Sequence, residues 1–166
     1  MNIPSCILNS INKDIMDNNF FYGAEQMWQR LTDVKNKKVQ YFDIDMSMLA
    51  NCIECYYKGF LEASGVTVPE HIMKEGHNLL RLTDEIESRI CPLQYNMTKS
   101  EDRDRRNFLW DLSHKYIDCR YNHEQVSFED FLKCYNWVNK QRDLIFNTLK
   151  PKLNNIYEDY DKSYDD

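Results

Sequence analysis

The sequence predicts an all-α fold, an antiparallel bundle of four to five helices, and three observations carry that prediction. Apolar side chains recur at i, i+3, i+4 and i+7 in successive stretches, the spacing that places them on one stripe of a helix. Glycine and proline occur only four times each, and charged residues make up 29% of the chain, a composition that suits helices joined by short loops rather than a turn-rich β sandwich. No strands alternate with helices as a parallel sheet would require, and no repeat appears at solenoid periods. A chain of 166 residues is about one domain long, and residues 1–150 are expected to form a single helical bundle.

The first helix is expected from Asp14 to Val34, where Phe20, Ala24, Met27, Trp28 and Leu31 share a stripe. Gly23 within it costs about 1 kcal/mol relative to alanine. The polar run 35–38 reads as a turn. The second helix starts near Asp43 or Asp45, both candidate N-caps, and ends at Gly65, a residue suited to a left-handed C′ position. Its stripe is Leu49, Cys52, Ile53, Tyr56 and Phe60. The opposite face carries Asn51, Glu54, Lys58 and Glu62, and Glu54 precedes Lys58 by one turn in the favourable order, so this face reads as solvated or as partner-bearing.

Val66 to Gly76 is a connector, because Pro69 disfavours helix at Val68 and Gly76 punctuates its far end. The third helix, entered through His77, carries Leu79, Leu82, Ile86 and Ile90 and is stopped by Cys91-Pro92. Thr98 with Glu101 is a capping-box pattern that opens the fourth helix, whose stripe is Leu109, Leu112 and Tyr116. Cys119 to Val126 is expected to be a loop. Ser127 with Asp130 opens the fifth helix, which carries Phe131, Tyr135, Val138, Ile145 and Leu149 until Pro151 disturbs the pattern. Residues 151–166 are acidic and poor in aliphatic side chains, and are expected to form a flexible tail.

Composition also narrows the function classes. A net charge of −6 gives no general attraction to phosphate backbones, so a broad DNA coat is excluded and any nucleic-acid contact needs a local basic cluster. The first residues lack the charged and apolar regions of a signal peptide, and nothing approaches the roughly 20 apolar residues that span a bilayer, so no membrane partner is expected. The six cysteines read as reduced thiols, several of them within apolar runs, and a cytoplasmic protein is the expectation. Cys52-x-x-Cys55 with Cys119 and His123 is a poor zinc set, since the first pair lies one helical turn apart and has no second pair to meet it. Neither a metal nor a cofactor is expected. No glycine-rich phosphate loop, nucleophile elbow or His-Glu-x-x-His pattern occurs.

Three pieces in order carry a resemblance: Ala50-x-x-x-Glu54-x-x-x-Lys58-x-x-Leu61, His77-Asn78-Leu79, and Tyr116-x-x-x-Arg120-Tyr121. Together, across positions 15–149, they resemble the HEPN (higher eukaryotes and prokaryotes nucleotide-binding) domains, closest to the sacsin-like and nucleotidyltransferase-associated types. The resemblance implies a helical bundle, usually a homodimer, that binds a nucleotide or RNA or serves as one half of a two-component toxin-antitoxin or defence system, with a nucleotidyltransferase-type protein as a possible partner. Lys58, His77, Arg120 and Tyr121 match the family positions and are the candidate ligand-binding residues. Catalytic members are metal-independent ribonucleases with an arginine four to six residues from a histidine. Here Arg106 and His114 are separated by seven residues and Arg120 and His123 by two, so the expectation is a non-catalytic module, with a ribonuclease using Arg120 and His123 as the alternative. An interaction module without nucleotide binding is the third reading.

Bland roles stand beside these. Arg120 and Tyr121 fit helix capping or packing as well as ligand contact, Lys58 fits a solvated helix face, and His77 fits a local contact to a carbonyl or acid. Arg103, Arg105 and Arg106 would make an anion patch, but their alternation with Asp102 and Asp104 suits a solvated face. His71 has no special context.

Overall fold

The computed structural model describes residues 19–70, 72, 77–93 and 98–161, with residues 151–161 as backbone alone. The expected helix start at Asp14, together with His71, Gly76 and the end of the acidic tail, lies outside the described residues. Among the described residues the helices are α1 (Asn19–Lys35), α2 (Asp43–Ala63), α3 (Leu79–Arg89), α4 (Lys99–Tyr121) and α5 (Phe128–Asp161). There is no strand among the described residues. The all-helical bundle read from the sequence is therefore the observed fold.

Helix α2 is the axis of the bundle and packs against all four others. Its Leu49, Cys52, Ile53, Tyr56, Tyr57, Phe60 and Leu61 are fully buried, and each such aliphatic or aromatic side chain contributes about 1.5–3 kcal/mol of burial. The contacts fix the helix directions. Arg30 meets Asp45 while Phe21 meets Tyr56, so α1 runs antiparallel to α2. Ser47 donates to the Tyr116 carbonyl at 2.8 Å, and Leu79 N–H donates to Ser113 while Asp84 pairs with Arg106 farther back along α4, so α3 and α4 are antiparallel. Trp28 stacks on Tyr135 and Phe21 tilts against Phe146, so α5 runs antiparallel to α1.

The ends of the helices use polar chemistry that is local in sequence. Asn78 accepts from Arg81 N–H at 3.2 Å to cap α3, and Thr98 accepts from Glu101 N–H at 3.2 Å while Glu101 accepts from Thr98 N–H at 2.7 Å. At α2 neither expected aspartate is the N-cap. Phe42 occupies that position, Asp45 reaches back from the first turn to accept Phe42 N–H at 2.9 Å, and Asp43 instead accepts from Val126 N–H at 2.9 Å, tying the start of α2 to the loop before α5. After α2, Gly65 adopts the left-handed φ of 78° that its position demands.

Three boundaries or faces differ from the sequence reading. Helix α4 continues through Cys119, Arg120 and Tyr121 rather than ending before them, because its Cys119 is buried against the core and holds the last turn in place. Helix α5 passes Pro151 and continues to Asp161; proline there removes one backbone donor without ending the helix. The polar face of α2 is solvated only in part: Glu54 and Lys58 are buried, beside His77 and the Phe20 ring, Asn51 is half-buried, and Glu62 alone of the four stays exposed.

Candidate functional site

The covered part of α2 holds a chain of polar contacts that joins α2, α4 and the residue just before the α3 cap. Glu54 is 3% exposed and Lys58 7% exposed, and the Lys58 ammonium binds one oxygen of the Glu54 carboxylate. The other oxygen accepts from His77 Nδ1, one residue before the Asn78 cap. A carboxylate can only accept, so this contact places a proton on Nδ1. Among the described residues nothing hydrogen-bonds Nε2.

The imidazole lies against the ring of Tyr116 on α4, tilted by 31°. The Tyr116 hydroxyl accepts from Arg120 Nη1 at 2.7 Å, and the Arg120 guanidinium sits 5.4 Å from the Tyr116 ring centroid and 5.8 Å from that of Tyr121. One helical turn separates Tyr116 from Arg120, which is why both reach the same place. Arg120 and Tyr121 are exposed, and no carboxylate pairs with Arg120 among the described residues. The structure thus links Glu54, Lys58, His77, Tyr116, Arg120 and Tyr121 in one continuous cluster.

His123 stands apart from that chain. It is exposed and takes a left-handed φ of 55° at the end of α4, where Glu124 N–H closes the turn onto the Asp118 carbonyl at 3.0 Å. No hydrogen bond joins it to Arg120 among the described residues.

Arg105, Arg106 and Arg142 are already committed to carboxylates, whereas Arg103 is exposed and no carboxylate pairs with it among the described residues. Arg105, with a side chain only 9% exposed, makes a bidentate pair with Glu87 at 2.7 and 3.2 Å and a further contact to Asp102 at 3.0 Å, so it is an interhelical clamp and not part of a solvated face. Arg106 pairs with Asp84 at 2.9 Å, and the bond to that carboxylate holds its guanidinium above the ordinary range. Arg142 of α5 binds Glu25 of α1 at 2.9 and 3.0 Å and the Tyr56 hydroxyl at 2.9 Å, and lies 4.8 Å from the Phe146 centroid. Burial alone would lower Arg142, but Glu25 and Tyr56 hold it above its usual range, while burial first and then the neighbouring charges of Cys52 and Glu25 push the Tyr56 phenol well up.

Sequence reasoning missed Tyr116 as the hub, since it falls on the apolar stripe of α4, and missed the Glu25–Arg142–Tyr56 network. For the network one signal existed: the α5 stripe Val138, Ile145, Leu149 is interrupted by Gln141 and Arg142, and the buried Gln141 accepts from the Tyr57 hydroxyl at 3.0 Å.

Among the described residues no group of three or more His, Cys, Asp and Glu side chains is arranged to hold a metal. Cys52 is buried with its thiol toward the Ala24 carbonyl, 3.4 Å away, and burial pushes Cys55 up to about 11. The Trp110, Ile117 and Tyr121 side chains, 54%, 50% and 63% exposed, share one face of α4, with His114 set against Trp110. No helix among the described residues is long and apolar enough to cross a membrane. Fold and site together define an all-helical bundle with a buried acid–base cluster that opens onto an exposed arginine. Comparison of the chain with protein families, with characterised proteins and with solved structures gave no match.

Proposed function

We propose that the protein is a non-catalytic, HEPN-like helical module that binds the phosphate of a nucleotide or RNA at Arg120. The observation that carries this reading is an exposed arginine with no carboxylate partner among the described residues, oriented by the Tyr116 hydroxyl and flanked by the exposed Tyr121 ring. A guanidinium presents five donors in a fixed fork, and here one of them sets its orientation while others remain for phosphate oxygens. Tyr121 offers a face for a base, a contact that every nucleobase can make.

In this reading His77 lies at the inner edge of the site, and Lys58 acts from behind it by neutralising Glu54. The module is cytoplasmic and homodimeric, with the exposed Trp110 and Ile117 of α4 on the surface that a second copy covers while Tyr121 stays open to the ligand, and it works beside a nucleotidyltransferase-type protein in a two-component system. The ribonuclease alternative requires His123 to act with Arg120.

The test is equilibrium binding of ATP and of a short single-stranded RNA at low salt to the native chain and to Arg120→Ala. Saturable binding lost in the variant is expected. Absence of binding to the native chain refutes the reading, and cleavage of the RNA in EDTA that disappears in His123→Ala would replace it with the ribonuclease.

A further inference from the structure

We infer that the second copy covers Trp110 and Ile117 with its α1–α2 turn, so that Lys35 and Lys37 of one copy meet Asp111 and Asp118 of the other and a two-fold axis closes both contacts at once. The inference rests on the homodimer proposed above and names the surface that meets the α4 face.

Exposed apolar side chains need no explanation singly, but grouped they mark contact surfaces. Most of the large ones among the described residues fall into two groups. Val39, Phe42 and Ile44 stand on the turn that joins α1 to α2 and on the first turn of α2. Lys37 takes a left-handed φ of 59° there, and residues 35–40 are all exposed. The other group is Trp110 and Ile117, on the outer face of α4 and about two turns apart. Ser47 donates to the Tyr116 carbonyl and Asp43 accepts from Val126 N–H, so the first turns of α2 lie beside the last turns of α4. The two groups therefore adjoin, which lets one two-fold axis bring each onto its complement.

Their charges are opposite. The Lys35 and Lys37 ammonium groups lie 5.9 and 6.0 Å from the Tyr135 and Phe128 ring centroids, and neither has a carboxylate partner among the described residues, whereas Lys38 pairs with Asp33 at 3.6 Å. The acids at the start of α2 are engaged, Asp45 with Arg30 and Asp43 with Val126 N–H. On α4, Asp111 and Asp118 directly follow Trp110 and Ile117 and so form a rail along one side of the apolar pair. Asp118 accepts from the Asn122 amide at 2.9 Å, and Asp111 has no cation partner among the described residues, since Lys115, one turn on, is bound to Glu124. Two antiparallel α4 helices laid face to face would set this acidic rail against its own copy, and like charges across an interface are costly. The basic, apolar turn of the second copy meets both the rail and the apolar pair.

The test is sedimentation velocity of the full chain with the charges exchanged in pairs. The native chain is expected to form a dimer that weakens as salt is raised. Lys35→Glu with Lys37→Glu, and separately Asp111→Lys with Asp118→Lys, are each expected to weaken the dimer about tenfold or more, because each sets like charges together at both contacts. A mixture of the two variants is expected to dimerise as the native chain does, since one contact is then native and the other has both signs reversed. Variants that each dimerise as tightly as the native chain, or a mixture that stays dissociated, overturn the inference and leave a homodimer through another surface. A native dimer indifferent to salt overturns it as well, a measurement that needs no variant. A native chain that stays monomeric refutes the homodimer itself, while nucleotide binding at Arg120 is read separately.

Discussion

Replacing Lys58 with methionine separates a solvated helix-face lysine from the buried ion pair that the structure shows. A solvated lysine at the end of an i, i+4 pair contributes a few tenths of a kcal/mol, and its loss would shift stability by less than about 0.5 kcal/mol. In the structure both Lys58 and Glu54 are almost entirely covered, and Lys58 also lies 5.8 Å from the Phe20 ring centroid. Removing one partner of a buried pair costs about 3–5 kcal/mol, because the remaining charge is left without compensation. His77 still donates to the second oxygen of Glu54, and a methionine side chain refills most of the lysine volume, so the expected loss for Lys58→Met is about 2–4 kcal/mol. That is a large share of the roughly 5–15 kcal/mol that stabilises a domain. Urea unfolding followed by far-ultraviolet circular dichroism would measure it. The double variant Glu54→Gln, Lys58→Met removes both charges and is expected to recover to within about 1.5 kcal/mol of the native chain. A loss below about 1 kcal/mol in Lys58→Met, or additive losses in the double variant, would refute the buried pair.

Two further outcomes follow from other parts of the bundle. A Cβ at Gly59 would stand 2.8 Å from the buried Phe21 ring, whereas one at Gly23 would meet nothing within 4 Å, so Gly59→Ala is expected to lose about 1–2 kcal/mol and Gly23→Ala to gain about 0.5–1 kcal/mol in the same unfolding assay. Burial pushes the thiols of Cys55, Cys119 and Cys134 from 9.0 up to about 11. The folded chain therefore holds protons that the unfolded chain releases first, and stability, complete below pH 9, should fall between pH 9 and 11; thermal unfolding across that range checks the sign, and a rise in stability would contradict it.

The fold was legible because its determinants are periodic and local. Leu49, Cys52, Ile53, Tyr56 and Phe60 announce the buried stripe of α2, and Thr98 with Glu101 and Ser127 with Asp130 mark the starts of α4 and α5. The end of α4 was not legible, since no glycine or proline follows Tyr121 and the turn is made by a left-handed His123 instead. Of the site, the Glu54–Lys58 pairing could be read from spacing, but its burial could not, because covering the pair depends on His77 and the Phe20 ring, which arrive from other parts of the chain. The Glu54–His77 contact crosses 23 positions and Arg142–Glu25 crosses 117, separations at which one sequence carries no pairing signal. Tyr116 satisfied the apolar pattern of α4 and so concealed its hydroxyl, the group that orients Arg120.

Arg120 is oriented by the Tyr116 hydroxyl and remains available to an anion, whereas Arg105, Arg106 and Arg142 are held by carboxylates. The most direct measurement is a titration of ATP into the protein while the side-chain Nε–Hε resonances of its arginines are followed by nuclear magnetic resonance. A saturable shift of the Arg120 signal is expected, with the signals of the carboxylate-paired Arg105, Arg106 and Arg142 unmoved. A saturable shift confined to Arg103, Arg105 and Arg106, or no shift at Arg120 at saturating ATP, would contradict it.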